Sequence, residues 1–519
     1  MGKKIIVHNH DGEVMELAPT EGLNIAQTLF LSGAFQGVPL CSGMGRCGLC
    51  KVRFKSDPPL PRKEELHKFS REEIESGWRL SCLHHAKAAE IFLPRPERVV
   101  PKVSDKFSRE LTEDLALAVD LGTTGMHWAF TLNGETVKSG QELNPQIGLG
   151  SEVMSRLAFA AKPEQREILS RLVTERLQSI ILETVPVKEL VISGNPSMIS
   201  ILAQDNVESL SRAPYSLPDK GGKRLKLDAK LPEAYIPPHL APFVGADITA
   251  GIVALNFSEV KAQPPYLFAD LGTNGEFVLC LSEEEYIVCS VPMGPALEGV
   301  GMSNGRTAGP GAVSAFTLTP SGLTPAIIKA DTPEQEQKPG ITGTGYLSLC
   351  SLLLKSGVLT REGQFGPGNT PFAAKLADKM TEINGTPVLD LGYEGLTLPA
   401  PDVEEILKVK AAFNLAMSAL LEKAGLAPSD LKELILGGAM GQHVNINDLV
   451  ATGFIPAESA AITRAAGNTS LKGAIVLTHN QEARDFASCL PARSEVLELA
   501  GSSDFGQKYL ERMIFKYVY

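Results

Sequence analysis

Four cysteines carry the clearest chemistry in the chain, at the spacing Cys41-x5-Cys47-x2-Cys50-x31-Cys82, within CSGMGRCGLC and WRLSC. Three thiolates on one loop and a fourth from a distant segment can enclose a two-iron cluster. Gly43, Gly45 and Gly48 let such a loop wrap closely, because glycine tolerates positive φ, and they leave N–H groups free to face sulfide. Two other readings use the same residues. Cys47-x2-Cys50 with Cys82-x2-His85 would make a Cys3His zinc site, which leaves Cys41 idle. A Rieske centre needs one histidine after each of two cysteines, whereas His84 and His85 both follow Cys82. The two histidines read instead as a partly exposed polar pair. Cys280, Cys289, Cys350 and Cys489 stand in apolar or mixed segments and read as buried small hydrophobes.

The second constellation is a repeated turn, DLGTTG at 120–125 and DLGTNG at 270–275. Each follows an apolar strand, LALAV or YLFA, that ends in an aspartate. The N–H groups and hydroxyls of such a turn can cradle a phosphate. The aspartate at the strand end can hold Mg2+ through water. Two facing hairpins would grip the phosphates of a nucleotide from both sides. No Walker loop is present and no G-x-G-x-x-G follows a strand, which disfavours P-loop and dinucleotide sites. Asp247, in FVGADITAG, is a third acidic candidate, either orienting an attacking water or capping a helix from 248.

Local patterns predict the elements that hold these residues. Strands are expected at 3–8, 13–18, 50–54 and 90–93, with a helix over 23–32, giving a small sheet packed on one helix. Residues 95–114, proline-bearing and charged, read as a linker after a cluster domain at 1–94. Beyond it an α/β pattern occurs twice, at 115–258 and 259–495. Each copy has a strand, the turn, two more strands and later long helices (164–184 and 402–425). KELVISGNP in the first copy matches KELILGGAMG in the second. The duplication predicts two related domains about a cleft. The Gly-rich stretch 294–313 reads as a loop of that cleft, and 496–519 as a helical tail.

Composition narrows the class. Hydrophobic residues at 43% and charged residues at 21% fit a globular chain and not a disordered one. A net charge of −11 argues against nucleic acid or an anionic membrane as partner. No apolar run is long enough to span a bilayer, and the opening MGKKIIVHNHDGEVMEL turns polar too early for a signal peptide. A cytoplasmic protein is expected.

The hairpins and the late glycine pair resemble the acetate- and sugar-kinase, heat-shock-chaperone and actin superfamily, with its duplicated ribonuclease-H-like domains. That resemblance implies metal and catalytic roles for Asp120 and Asp270. It implies ATP contacts at Gly122, Thr123, Thr124, Gly272, Thr273 and Asn274, and adenosine contacts at Gly437 and Gly438. The cysteine loop, one residue longer than the plant type, resembles the adrenodoxin-like ferredoxins and their β-grasp fold. The two together resemble the reductive activators of corrinoid-dependent methyltransferases and corrinoid iron–sulfur proteins, through ELNPQIGLGSEVMSRL, GPALEGVGMSNGRTAGPGAV and AAGNTSLKGA as well. The implied fold is multidomain α/β, and the implied cofactors are a [2Fe-2S] cluster, ATP and Mg2+. The implied activity is ATP-dependent one-electron reduction of a Co(II) corrinoid protein to Co(I), fed by a low-potential donor, with a homodimer suggested. A cluster outside the cleft on a mobile linker would suit repeated docking. The alternatives are a redox-sensing small-molecule kinase, with Asn144, Asn304 and Arg306 as loose substrate candidates, or an ATP-driven clamp with a structural cluster.

Overall fold

The computed structural model describes residues 4–105, 115–182, 186–272, 274–299, 301–329, 339–383, 385–438, 444–499 and 504–519. The N-terminal strands are β1 (Ile5–Asn9), β2 (Val14–Leu17), β3 (Lys51–Phe54), β4 (Trp78–Leu80) and β5 (Ala89–Leu93). They pair in the order β2-β1-β5-β3-β4, with β1 and β5 parallel at the centre. The helix Ile25–Leu31 opens with a capping box between Asn24 and Gln27 and buries Ile25, Leu29 and Phe30. This mixed sheet over one helix is the β-grasp arrangement.

The first large sheet holds β6 (Lys102–Asp105), β7 (Leu115–Leu121), β8 (Gly125–Leu132), β9 (Glu135–Leu143), β10 (Val187–Gly194), β11 (Lys223–Leu225) and β12 (Ala234–Ile236). Its order is β11-β12-β10-β7-β8-β9-β6. Part of the expected linker is therefore a strand. Residues 102–105 pair antiparallel with β9 and cover its free edge through backbone hydrogen bonds. All four of their side chains are exposed, so no alternation betrayed the strand.

The second half repeats the scheme with β13 (Tyr266–Leu271), β14 (Asn274–Ser282) and β15 (Glu285–Pro292). Two small sheets are then inserted, β16 (Ala312–Thr319), β17 (Gly322–Ile327) and β18 (Gly340–Ile341), and β19 (Met380–Ile383), β20 (Thr386–Asp390) and β21 (Thr397–Pro399). The main sheet closes with β22 (Glu433–Gly437), β23 (Thr463–Gly467) and β24 (Ser494–Val496), in the order β23-β22-β13-β14-β15-β24. In both large sheets the strand bearing the aspartate pairs antiparallel with the next strand and parallel with a later one.

Two helices are exchanged between the lobes. Ala246–Phe257 follows the first sheet, yet Ile248, Ile252 and Leu255 pack with Phe268 and Val278 of the second. Thr469–His479 follows the second sheet, yet Ala474 and Leu477 pack with Ala118 and Val191 of the first. Where the helices meet, a Cβ at Gly473 would overlap the Ala250 carbonyl, so only glycine permits the approach.

The C-terminal segment is helical only over Phe505–Glu511. Beyond it Phe515 and Tyr517 are buried at alternate positions, an extended pattern that ends the helix. Lys410 of the long helix Ala400–Ala424 donates to the Arg512 carbonyl (3.2 Å) and the Lys516 carbonyl, and Asn414 Oδ1 accepts from Val518 N–H at 3.1 Å.

Candidate functional site

Cys41, Cys47, Cys50 and Cys82 line one small cavity between the cysteine loop and the sheet. The loop follows the sequence logic, with Gly43, Gly45 and Gly48 at φ of 101°, 68° and 75° and Ser42 at 45°. The sulfurs interact in two pairs, Cys41 with Cys47 and Cys50 with Cys82. The Cys47 thiol and the N–H groups of Cys47, Arg46 and Met44 bring the Cys41 thiol down to about 6 against its burial. Among the described residues, no three His, Cys, Asp or Glu side chains converge on a point that could hold a single metal ion. Two thiol pairs about one cavity are the donor set that a two-metal centre would take.

The histidines differ from the expected exposed pair. His84 is buried, 7% exposed, and its Nε2 lies 2.9 Å from Glu65 Oε1, while His85 is exposed. Glu65, on the short helix Lys63–Lys68, also accepts from Leu80 N–H (2.6 Å) and Arg62 N–H (2.7 Å). Burial opposes its charge, but the His84 hydrogen bond and these amides hold its carboxyl below the usual range. His84 thus anchors the strand end that presents Cys82.

The cluster loop is also not free on a linker. Ser42 Oγ donates to the Ile147 carbonyl at 2.7 Å, and Gly148 lines the cysteine cavity. One apolar cluster joins Leu29, Phe30 and Phe35 to Ile147, Leu149 and the first large sheet. The shared core seats the cysteine loop on the first lobe.

At the first hairpin, Asp120 Oδ2 accepts from Asn468 Nδ2 (2.7 Å) and Oδ1 from Ser470 Oγ (2.8 Å). Both donors stand at the N-terminus of the exchanged helix Thr469–His479, whose dipole favours a carboxylate there. Opposite Asp120 in the β7–β8 register is His127, with Nδ1 3.4 Å from Asp120 Oδ2. Thr123 Oγ1 accepts from Asn195 Nδ2 at 2.9 Å, and Thr124 Oγ1 donates to Glu298 Oε2 at 2.7 Å.

At the second hairpin the residue opposite Asp270 is Glu276, buried at 7%. Gly272 N–H donates to the Asn274 carbonyl at 3.1 Å, and Thr273 lies outside the described residues. Gly437 pairs with Asp270 across parallel strands, and at Gly438 (φ 81°) a Cβ would press on the Leu271 carbonyl and Asp270 Oδ1. Asp247 does not cap its helix. Gly245 is the N-cap, and Asp247 sits in the first turn with Oδ1 accepting from Ile248 N–H at 3.0 Å.

These acids press on one another. Burial and the Asp120 charge raise the Asp247 carboxyl to about 7. Burial, Asp247 and Asp120 raise Asp270 to about 8, and burial with Asp247 and Asp270 lifts Glu276 well above the usual range. Each of these buried acids thus makes its neighbours harder to ionise, and a cation among them would relieve that cost. Glu276, Glu298, His127 and Asn468 were not read as site residues. Glu276 and His127 carry no motif of their own, and only the pairing across each hairpin sets them against the aspartates.

A cavity of about 1150 Å3 opens between the lobes, lined by Thr124, Gly125, His127, Glu298 and Asn468. Val99, Val100 and Lys102 of the expected linker also line it, as do Thr307 and Ala308 of the expected cleft loop. That loop is pinned: Asn304 Nδ2 donates to the Thr397 carbonyl at 2.8 Å, and Ser303 N–H to Asp402 at 3.0 Å.

Residues 265–518 match the family model of the C-terminal domain of RACo, its ASKHA domain, and residues 115–260 match the RACo middle region. The chain belongs to the RACo family. It is similar to the corrinoid activation enzyme RamQ of Eubacterium limosum, 26% identical over 427 residues, 77% of this chain and 70% of that protein. It is also similar to a [Co(II) methylated amine-specific corrinoid protein] reductase of Methanosarcina barkeri, 27% identical over 396 residues, 68% of each. A solved structure described as a reductive activator for corrinoid, iron-sulfur protein shares the fold over 98% of both chains, with a TM-score of 0.67 at 20% identity. Within the RACo frame both hairpins fall in matched regions, Asp120 in the middle region and Asp270 in the ASKHA domain. Among the described residues, no helix is long and apolar enough to cross a membrane.

Proposed function

We propose that the chain is an ATP-dependent reductive activator of a corrinoid protein. It accepts an electron from a low-potential donor and passes it from a [2Fe-2S] cluster to Co(II) of the partner's corrinoid, giving Co(I). The observation that carries this reading is the gathering of Cys41, Cys47, Cys50 and Cys82 in two pairs around one cavity, in a chain alike over most of its length to corrinoid reductases.

In this reading the four thiolates hold the cluster, which when bound supplies a one-electron carrier. The amides of Met44, Arg46 and Cys47 face the Cys41 sulfur and favour its anionic form. Asp120 and Asp270 hold Mg2+ through water, and Asp247 orients the attacking water. Gly122, Thr123 and Thr124 take one side of the ATP phosphates, and Gly272, Thr273 and Asn274 the other. Gly437 and Gly438 border the adenosine. The nucleotide is needed because each ~100 mV of uphill transfer costs about 2.3 kcal/mol per electron. A gap of that size closes when one conformational state binds the partner more tightly than another. The kinase alternative is weakened at two of its three substrate candidates, because Asn144 and Asn304 are both bound to backbone carbonyls. A homodimer in the cytoplasm belongs to the same proposal.

The test mixes the purified protein with a strong reductant and candidate Co(II) corrinoid proteins, with and without MgATP. Growth of Co(I) absorbance only with ATP is the expected result. ATP turnover with no Co(I) from any corrinoid protein, whatever the redox state of the cluster, would favour the clamp instead.

A further inference from the structure

A short hydrogen-bonded path joins the first phosphate turn to the cysteine loop. Asn144, just beyond β9, donates from its backbone N–H to the Thr124 carbonyl (2.8 Å) and from Nδ2 to the Gly122 carbonyl (2.7 Å). Its own carbonyl accepts from Ile147 N–H at 3.0 Å, and its Oδ1 from Gln146 N–H at 2.8 Å. The Ile147 carbonyl accepts from Ser42 Oγ at 2.7 Å, and Ser42 follows Cys41. Next along, Gly148 walls the cysteine cavity and lies so close to the Phe30 ring that a Cβ would overlap it.

This path is stiff. Arg156, fully buried, donates from Nε to the Gly150 carbonyl at 2.9 Å and from Nη1 to Gln146 Oε1 at 3.3 Å. Displacement of the phosphate turn is therefore carried along 144–150 instead of being absorbed. The loop has a second tie, to the other lobe: Arg46, beside Cys47, lies 3.5 Å from Glu405 of the helix Ala400–Ala424. Ser42 and Arg46 thus tie the loop to one lobe each.

We infer that the nucleotide cleft governs access to the cluster through Asn144, Ile147 and Ser42. A phosphate that shifts the Gly122–Thr124 turn lifts 147–148 from the cysteine loop and uncovers the cavity they close. Asn144 and Ser42 are then positioning residues that link two sites of the reaction. This rests on the reading of the chain as a cluster-bearing ATPase. Linkage is reciprocal, so whatever factor nucleotide applies to uncovering, prior uncovering applies to nucleotide affinity.

The test uses the full-length protein with its cluster and follows iron loss to EDTA. The arms are no nucleotide, MgADP, and the magnesium complex of a non-hydrolysable ATP analogue. The analogue should speed iron loss about threefold or more. Ser42→Ala and Gly148→Val, with full cluster content by absorbance, should lose iron at the fast rate without nucleotide. They should bind the analogue more tightly by the same factor. The inference is overturned if cluster and analogue both bind the parent protein but iron loss is unchanged, or if both variants respond like the parent. The underlying reading fails separately, and takes the inference with it, if the purified protein holds no iron and sulfide or binds no nucleotide.

Discussion

Thr124 in the turn after β7 donates its hydroxyl to Glu298 of the second lobe at 2.7 Å, a bond that spans the cleft between the lobes. A hydrogen bond to a carboxylate is worth about 1.5–3 kcal/mol. Glu298→Ala should therefore loosen the lobes and raise the KM for ATP about tenfold. The cluster absorption should not change. Steady-state ATPase assays beside a visible spectrum check both parts.

Asn468 and Ser470 both donate to the Asp120 carboxylate across the lobes. Asp120→Ala should lower ATP-driven Co(I) formation about a hundredfold or more, the scale of losing a preorganised charge in a site. The cluster spectrum should remain intact. Unchanged activation in this variant would refute the assignment.

The crowded acids set a pH dependence. An unfolded carboxyl ionises near pH ~4, whereas Asp247 and Asp270 keep their protons to about 7 and about 8. Between those limits the folded chain binds more protons, so stability falls as the pH rises through the window. The melting temperature should drop from about pH 5 to about pH 8 and level off above that, and Asp270→Asn should flatten the slope. Added Mg2+ with ATP should offset part of the loss, because a cation favours the ionised acids. Calorimetric scans across the range measure it.

Arg156 is buried, and burial lowers its guanidinium to about 9, which still leaves it charged at neutral pH. Its partners are the Gly150 carbonyl and the Gln146 side chain. Arg156→Met would strand both and should cost about 3 kcal/mol, read as a lower urea midpoint at unchanged slope.

The tail gives a third stability test. Burial, with the nearby Arg512, holds the Lys410 amine down to about 7, and the Arg512 and Lys516 carbonyls accept from it. Removing residues 512–519 should destabilise the second lobe by about 3 kcal/mol. Lys410→Met should recover part of that in the shortened chain, because it removes the stranded amine. Thermal scans of the three proteins compare them.

The sequence was most legible where one residue type has few uses. Four cysteines on a glycine loop and two aspartate turns in a repeated frame are such signals, and the structure gathers each set. Strand β6 was illegible because backbone pairing alone places it. Glu276 and His127 were missed because one inward polar residue on an apolar strand carries no motif; only the register across each hairpin sets them against Asp270 and Asp120. The burial of His84 depends on Glu65, a partner from a separate helix that spacing could not supply. Likewise Asn144 read as a loose polar residue because its partners, two turn carbonyls, are twenty residues away in the chain.

The glycine contact between the exchanged helices has a mechanical consequence. With Gly473 pressed on the Ala250 backbone, no side chain separates the two helices at this point. The contact lies within one helical turn of Ser470, which donates to Asp120, and of Asp247. A single added methyl, Gly473→Ala, would therefore wedge the two helices apart right beside the buried acids.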